Sequence, residues 1–126
     1  MHSSTTEFDD EGRVIREDFF GTDGKPVILK EGYSYREYEY DDNGNRIRET
    51  YYDQNGNNVL NTYGYAGLRR EFDENSRISR ESFLDADGRL TEVKEGYASR
   101  IPVYDESNTV MDYRYYDLEG NEVKTN

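Results

Sequence analysis

Short stretches rich in aromatic and β-branched residues alternate with polar turns along the whole chain, as at 33–40 and 45–52. Such stretches have the usual length and composition of strands. Apolar residues with the three-to-four-residue spacing of a helix are absent from the pattern. The sequence therefore predicts an all-β protein.

The pattern repeats every 32 residues without an insertion. An aromatic residue followed by aspartate keeps this step, at Phe8-Asp9, Tyr40-Asp41, Phe72-Asp73 and Tyr104-Asp105. Other series in phase are Gly32-Tyr33, Gly64-Tyr65 and Gly96-Tyr97, and the pairs Phe19-Phe20, Tyr51-Tyr52, Phe83-Leu84 and Tyr115-Tyr116. Self-similarity at this period predicts a tandem array. We treat residues 1–126 as one repeat domain of four units, 1–32, 33–64, 65–96 and 97–126.

Turn motifs of the type Asp-x-Asn-Gly occur in pairs 12 residues apart, as at Gly44 and Gly56. Aspartate in the first position caps backbone amides, and the fourth position needs a positive φ. These motifs predict hairpins with a bulge at the glycine. Ser76 and Asn108 replace that glycine in the third and fourth units, and serine tolerates the left-handed conformation less well than asparagine.

Each unit then contains three predicted antiparallel strands, at 33–40, 45–52 and 57–62 in the second unit. Pro26 and Pro102 are expected at edges or strand starts, because proline cannot donate to a ladder. Twelve strands would span roughly 58 Å at about 4.8 Å per strand, and open sheets of that width usually curl. We expect tandem antiparallel β-hairpin repeats, coiled into a spiral or solenoid-like elongated sheet.

Composition changes this picture in one respect. Only 33% of the residues are hydrophobic and the net charge is −12, values that are typical of disordered chains. Thirteen tyrosines compensate, because a tyrosine ring buries a large apolar area while its hydroxyl stays in water. Tyrosine is therefore the expected core former.

The charge also limits the partners. An excess of 28 acidic over 16 basic residues disfavours direct binding to nucleic acid or to an anionic membrane, and leaves a basic protein surface as a possible partner. The chain has no cysteine, no apolar run long enough to span a membrane and no signal-peptide pattern. Localisation stays open between the cytoplasm and a larger exported protein.

The segments Tyr40-Asp41-x-x-Gly44-Asn45-Arg46-Ile47 and Tyr52-Asp53-x-x-Gly56 resemble the tyrosine-aspartate (YD, Rhs-type) repeats of large bacterial surface and toxin-delivery proteins. The paired aromatics with glycines are also similar to the hairpin repeats that bind Gram-positive cell walls. Both resemblances imply β-hairpin spirals without catalysis, in a bacterial or phage setting.

Candidate chemistry is sparse. The acidic turns, such as Asp85-Ala86-Asp87-Gly88, contain the ligands that calcium prefers, but they turn within four residues and lack the spacing of a calcium loop. The only histidine is His2, at an end expected to fray. We therefore expect no enzyme, no metal site and no cofactor.

Recurring aromatics are expected in the core, whereas tyrosines that break the repeat are candidates for binding. Tyr35, Tyr38, Tyr63 and Tyr113 qualify, since other units hold different residues at their positions. With Arg36, Arg46 and Arg48 they form the predicted contact surface, because Tyr and Arg are enriched at binding hot spots. The alternative is that these side chains only cover the sheet.

Three functions fit these features. The first is a non-catalytic module for attachment or partner recognition, with a carbohydrate or protein ligand. The second is a small acidic inhibitor that occupies the basic nucleic-acid-binding groove of a nuclease or similar target. The third is a structural spacer in which all units are interchangeable.

Overall fold

The computed structural model describes residues 3–124, which form one nine-stranded antiparallel sheet and contain no helix. The strands are β1 (Ser3–Phe8), β2 (Val14–Phe20), β3 (Tyr35–Tyr40), β4 (Arg46–Tyr52), β5 (Gly67–Phe72), β6 (Ile78–Leu84), β7 (Ser99–Tyr104), β8 (Val110–Tyr116) and β9 (Glu122–Val123). Each strand pairs with the next one along the chain. The predicted all-β architecture of antiparallel hairpins is confirmed. Within the described residues there is no helix of the length and apolarity needed to cross a membrane.

The hairpin tips have the predicted chemistry. In the first hairpin, Asp9 Oδ1 accepts hydrogen bonds from the backbone N–H groups of Glu11 and Arg13, both at 2.9 Å. The Gly12 N–H donates to the Asp9 carbonyl at 3.0 Å and the Asp9 N–H donates to the Arg13 carbonyl at 2.9 Å, which places the predicted bulge at the glycine. A separate register shift lies between Glu7 and Phe8. Ser76 and Asn108 adopt φ values of 62° and 63°, so both occupy the left-handed conformation of the glycine that they replace.

The predicted third strand over 57–62 is wrong. The backbone of this segment pairs with β4 only through an isolated bridge between Tyr52 and Asn58 and a 3.0 Å hydrogen bond from the Val59 N–H to the Tyr51 carbonyl. The Tyr51 N–H instead donates to the Ala66 carbonyl, where the next hairpin begins. Because the next hairpin takes this donor, the end of β4 cannot pair fully with the connecting segment. The equivalent segment pairs as a strand only at β9, and the described sheet has nine strands instead of twelve.

Pro102 lies in the middle of β7, not at the expected edge or strand start. The β6–β7 ladder has two residue pairs and ends at Arg100, whereas the β2–β3 and β4–β5 ladders have three. Proline has no N–H with which to extend the ladder, so the shorter pairing follows from its presence. Pro26 makes an isolated bridge with Phe20.

A line of aromatic side chains crosses one face of the sheet, and we call it the ring row. Its members are Phe19, Tyr33, Tyr51, Tyr65, Phe83, Tyr97 and Tyr115. Neighbouring centroids lie 4.5 to 6.1 Å apart, within the range of favourable ring pairs. Leu68 and Val93 pack against Phe83 and Tyr97 of this row in a buried cluster. Recurring aromatics therefore lie in the core, as predicted, together with the aliphatic residues Ala66, Leu68, Leu84, Val93 and Ala98.

The aromatics that precede aspartate behave differently. Phe8 is 59% exposed, so the expectation that it lies in the core is wrong. Tyr40 and Tyr104 are half-buried, and their hydroxyls donate to the carbonyls of Val14 and Ile78 in the preceding hairpin. No described hairpin precedes Phe8, and it has no hydroxyl to donate. In the second and fourth hairpins this aromatic position therefore joins adjacent hairpins.

The connecting segments also contact one another. The Thr62 N–H donates to the Glu31 carbonyl at 2.7 Å, and the Lys94 N–H donates to the Tyr63 carbonyl at 3.0 Å. A side chain at Gly32 would place its Cβ 2.9 Å from the Thr62 nitrogen. Glycine is needed there because the next segment passes so close. The segments thus form a row of their own beside the hairpins.

Candidate ligand-binding cleft

The predicted contact residues of the second hairpin are divided between the two faces of the sheet. Arg36 and Tyr38 lie on the face with the ring row, and Tyr35 and Arg48 lie on the opposite face, because successive strand residues alternate. Arg46 joins the first pair, since its guanidinium carbon is 3.8 Å from the centroid of the Tyr38 ring. These five residues do not form one surface.

On the face opposite the ring row, the predicted residues already have partners within the chain. The Tyr35 ring stacks on Tyr52 with a centroid distance of 4.7 Å, and Arg16 covers Tyr35 at 3.9 Å. Arg48 lies 3.8 Å from a carboxylate oxygen of Glu39. These contacts hold the side chains against the sheet.

A row of alternating charges runs beside the ring row, and sequence analysis missed it. We call it the ionic row, and its members are Glu17, Arg36, Glu49, Arg70, Glu81 and Arg100. The shortest ion pair joins Arg100 to Glu81 at 2.7 Å, and Arg70 bridges Glu81 at 2.8 Å and Glu49 at 3.2 Å. The three glutamates recur at the 32-residue step, which was the available signal. It was hard to see among 28 acidic residues.

Tyr38 of β3 contacts Glu17, the member of the ionic row that lies in β2. It is buried, and its hydroxyl donates to Glu17. Burial, followed by this hydrogen bond, holds the pKa of Tyr38 well above its ordinary value. Burial acts to raise the pKa of Glu17, but the hydrogen bond from Tyr38 and the charge of Arg36 outweigh it and lower that pKa. Phenol and carboxylate therefore keep fixed protonation states at neutral pH.

Tyr63 has a different environment from the other predicted tyrosines. It is 54% exposed, whereas the other twelve tyrosines, all within residues 3–124, are buried or half-buried. Its ring stacks on Tyr65 with a centroid distance of 6.4 Å and an interplanar angle of 26°. The two rings form one wall of a cleft on the ring-row face.

This cleft has a volume of about 140 Å³ and is lined by Tyr63, Tyr65, Phe83, Val93, Glu95, Tyr97 and Arg100. Arg100 is held by Glu81 and lies 4.0 Å from the centroid of the Tyr113 ring. Tyr113 is thus linked to the cleft through Arg100. Of the seven predicted contact residues, the cleft therefore includes Tyr63 directly and Tyr113 through one neighbour.

A larger hollow of about 510 Å³ lies beside β1, where Phe19 ends the described ring row. Its lining consists of Ser3, Ser4, Phe19, Leu29, Lys30 and Glu31. It contains one aromatic ring, whereas the smaller cleft combines several rings with a carboxylate and a guanidinium. The smaller cleft is the better candidate, since recognition sites combine apolar walls with a few convergent polar groups.

The turn carboxylates serve the backbone. Asp41 Oδ1, for example, accepts hydrogen bonds from the N–H groups of Asn43 and Asn45, both at 2.9 Å. The hydrogen bond from the backbone N–H of Asn45 is the largest of the causes that lower the pKa of Asp41. Across residues 3–124 no group of three or more His, Cys, Asp or Glu side chains is arranged to hold a metal ion. His2 lies outside the described residues.

No protein-family model matches this chain, and no curated protein matches it.

Proposed function

We propose that this protein is a non-catalytic β-hairpin repeat module that acts in attachment or partner recognition, with a carbohydrate or protein ligand. The cleft of Tyr63 is the observation that carries this proposal. It combines an exposed ring with a half-buried ring, and Glu95 and Arg100 supply polar groups beside them. Both rings lie in a turn that Asn61 orders, since its Oδ1 accepts hydrogen bonds from the N–H groups of Tyr63 and Tyr65. Aromatic side chains on an ordered backbone bind a ligand at low entropic cost.

The position of Tyr63 in the repeat supports a role outside folding. The equivalent positions in the neighbouring units hold Glu31 and Glu95. A tyrosine is therefore not needed there to complete a hairpin. An exposed aromatic that the fold does not require is a good candidate for a binding hot spot.

We also propose that the four 32-residue units stack as a coiled array. The first strands of the four hairpins begin at Ser3, Tyr35, Gly67 and Ser99, in step with the sequence repeat. Contacts between successive connecting segments, such as Thr62 with Glu31, support the stacking. Together with the resemblance to YD-type repeats, this architecture favours a bacterial or phage-associated attachment protein.

The absence of catalysis is part of the proposal. Glu81 is bound by two arginines at 2.7 and 2.8 Å, which favours a fixed structural role over proton transfer. Burial raises the pKa of Tyr51 far above its ordinary value, so that phenol also stays neutral. These groups suit a scaffold better than an acid–base pair.

A binding screen with a variant of the cleft tests the proposal. Candidate ligands are cell-wall glycans and proteins from a host lysate, each titrated against the wild type and Tyr63→Glu, which introduces the residue of the equivalent positions. We expect Tyr63→Glu to weaken binding by about tenfold or more, as loss of a hot spot does. Tyr35→Ser is the matched control, because it removes a tyrosine from the opposite face. Equal binding by all three proteins would reject the cleft.

The acidic hairpin tips favour the second candidate, an inhibitor of a basic nucleic-acid-binding protein. The second turn position carries an exposed carboxylate in the hairpins β1–β2, β3–β4, β5–β6 and β7–β8, at Asp10, Asp42, Glu74 and Glu106. These tips all lie at the same end of the strands and recur every two strands, or about 10 Å. Inhibition through the row of tips would weaken steeply above roughly 0.3 M salt, whereas aromatic contacts in the cleft would change little.

A further inference from the structure

We infer that the cleft accepts a cationic side chain, arginine or lysine, from a basic segment of a partner protein. This inference rests on the proposed role of the cleft as the recognition site and names the chemistry that it recognises. Contacts between the protein's own arginines and tyrosines support it.

Arginine covers seven of the thirteen tyrosine rings, all of which lie within residues 3–124. The pairs are Arg16 with Tyr35, Arg36 with Tyr33, Arg46 with Tyr38, Arg13 with Tyr40, Arg77 with Tyr104, Arg80 with Tyr116 and Arg100 with Tyr113, with distances of 3.8 to 5.7 Å from guanidinium carbon to ring centroid. A guanidinium over an aromatic face is attractive, and more so where water is partly excluded.

Tyr63 and Tyr65 belong to the six described tyrosines without such a cation, and Tyr63 is the exposed one of the six. The repeat explains the gap at Tyr65. Arg36 covers Tyr33 three residues before it, and the residue three after Tyr65 is Leu68. The third unit therefore has no arginine at this position, whereas the fourth unit has Arg100, which lies over Tyr113 and not over Tyr97. The Tyr65 ring remains half-buried at the cleft.

The cleft also provides a carboxylate. Glu95 is exposed, lines the cleft with the two rings, and forms no ion pair within residues 3–124. Elsewhere the chain combines the same groups around an arginine. Arg100 lies between Glu81 at 2.7 Å and the Tyr113 ring at 4.0 Å. The cleft thus has the ring and the acid of this arrangement, and a partner would supply the cation.

Charge and size agree with this assignment. The net charge of −12 attracts a basic partner, and the charge of Arg100 at the cleft is already opposed by Glu81. A volume of about 140 Å³ suits one side-chain end rather than a folded element. An arginine or lysine on a flexible protein segment meets both conditions.

NMR titration with a matched pair of short peptides tests the inference. One peptide contains a single arginine, and the other carries neutral citrulline in its place. At 0.15 M salt we expect the arginine peptide to shift the ring resonances of Tyr63 and Tyr65, and the citrulline peptide to leave them unchanged. Equal shifts from both peptides would overturn the inference.

Two single-charge variants separate the cleft from general attraction to an acidic protein. Glu95→Gln removes the carboxylate of the cleft, and Glu31→Gln makes the same change in net charge at the equivalent position, beside a tyrosine that Arg36 covers. We expect Glu95→Gln and Tyr63→Leu each to weaken binding of the arginine peptide about fivefold. Glu31→Gln should weaken this binding less than twofold. The amide spectrum of each variant should stay that of the folded protein. Equal weakening by the two glutamine variants would mean non-specific attraction and overturn the inference.

A third arm uses a neutral cell-wall oligosaccharide. If it shifts Tyr63 and Tyr65 and the arginine peptide does not, the cleft is a recognition site for sugar, so the proposed function stands and the cation inference falls. If neither probe shifts these rings and Tyr63→Glu retains all ligand binding, both are rejected. Shifts from the arginine peptide that depend on Glu95 support both.

Discussion

The first hairpin, β1–β2, and the third, β5–β6, differ in burial although they share their turn chemistry and the length of their pairing. Each pairs six positions, with the same register shift at the pair nearest the turn. Yet β1 is exposed throughout, whereas β6 ends in four buried residues. The third hairpin has a described hairpin on both sides, and the first has one on a single side. The turn and the register are therefore set by a hairpin's own residues, and its burial is set by its neighbours.

Truncation of the ring row should show this difference most strongly. Phe83 is 4% exposed between Tyr65 and Tyr97, whereas the equivalent Phe19 is half-buried at the end of the described row. We expect Phe83→Ala to lower the free energy of unfolding by about 3 to 4 kcal/mol and Phe19→Ala by roughly half as much. Urea denaturation followed by circular dichroism measures both. Equal losses would mean that burial does not depend on neighbouring hairpins.

The ionic row gives the next largest contrast. Glu81 is buried with two arginines, and Glu17 is half-buried with Arg36 and Tyr38. Glu81→Gln should cost about 2 kcal/mol, because it leaves two guanidinium groups without their carboxylate, and Glu17→Gln about 1 kcal/mol. The same denaturation experiment compares them, and a larger loss at Glu17 would contradict the account.

Acid titration provides a control for Glu17. Its folded-state pKa is lowered from the ordinary value of 4.5, so its contribution is complete above that value and is lost as the pH falls through the folded pKa. The difference in unfolding free energy between the wild type and Glu17→Gln should therefore shrink as the pH drops below about 4.5. A difference that grows towards acid would reverse this sign.

Two glycines of the connecting segments, Gly32 and Gly96, should show a smaller difference in stability that also depends on a neighbouring segment. Gly32 and Gly96 both have positive φ, 101° and 96°, but only the added Cβ at Gly32 would meet backbone, 2.9 Å from the Thr62 nitrogen. Both alanine variants should lose about 1 kcal/mol for the left-handed conformation, and Gly32→Ala about 1 kcal/mol more for the contact. Thermal unfolding would detect the excess. Its absence would mean that the segments do not restrain one another.

The smallest expected effect is at the turn of the third hairpin. Ser76 has φ of 62°, so Ser76→Gly should raise stability by about 0.5 kcal/mol. Asn108→Gly should bring less, because asparagine tolerates this conformation and its Oδ1 accepts a 2.8 Å bond from Arg77. Differential scanning calorimetry on both variants ranks them, and a larger gain at Asn108 would count against the turn interpretation.

The local structure of this chain could be predicted from sequence because its causes are local. The aspartate of each turn binds amides two and four residues away, as Asp9 does, and the φ of Ser76 follows from the type of turn. The ring-row residues were recognisable because aromatic positions recur at a fixed step. These features depend on residues close in sequence or exactly in phase with one another.

Features that depend on competition between neighbours were missed. The segment 57–62 has a strand-like composition, but the N–H of Tyr51 pairs with Ala66 of the next hairpin. Period-two alternation could have separated Tyr35 from Tyr38, yet only the register shows which face carries the ring row. The cleft brings Tyr63 and Arg100 together from separate elements, and no local pattern predicts that contact.

Deletion of residues 65–96 tests most directly whether neighbouring hairpins hold this fold together. The cut joins Gly64 to Tyr97, which then takes the place of Tyr65, and the equivalent position of Leu68 is filled by Arg100 opposite Glu49. The account predicts a shorter protein with β-sheet circular dichroism, cooperative urea unfolding and a lower m-value. A chain that is unfolded or that unfolds without cooperativity would contradict it.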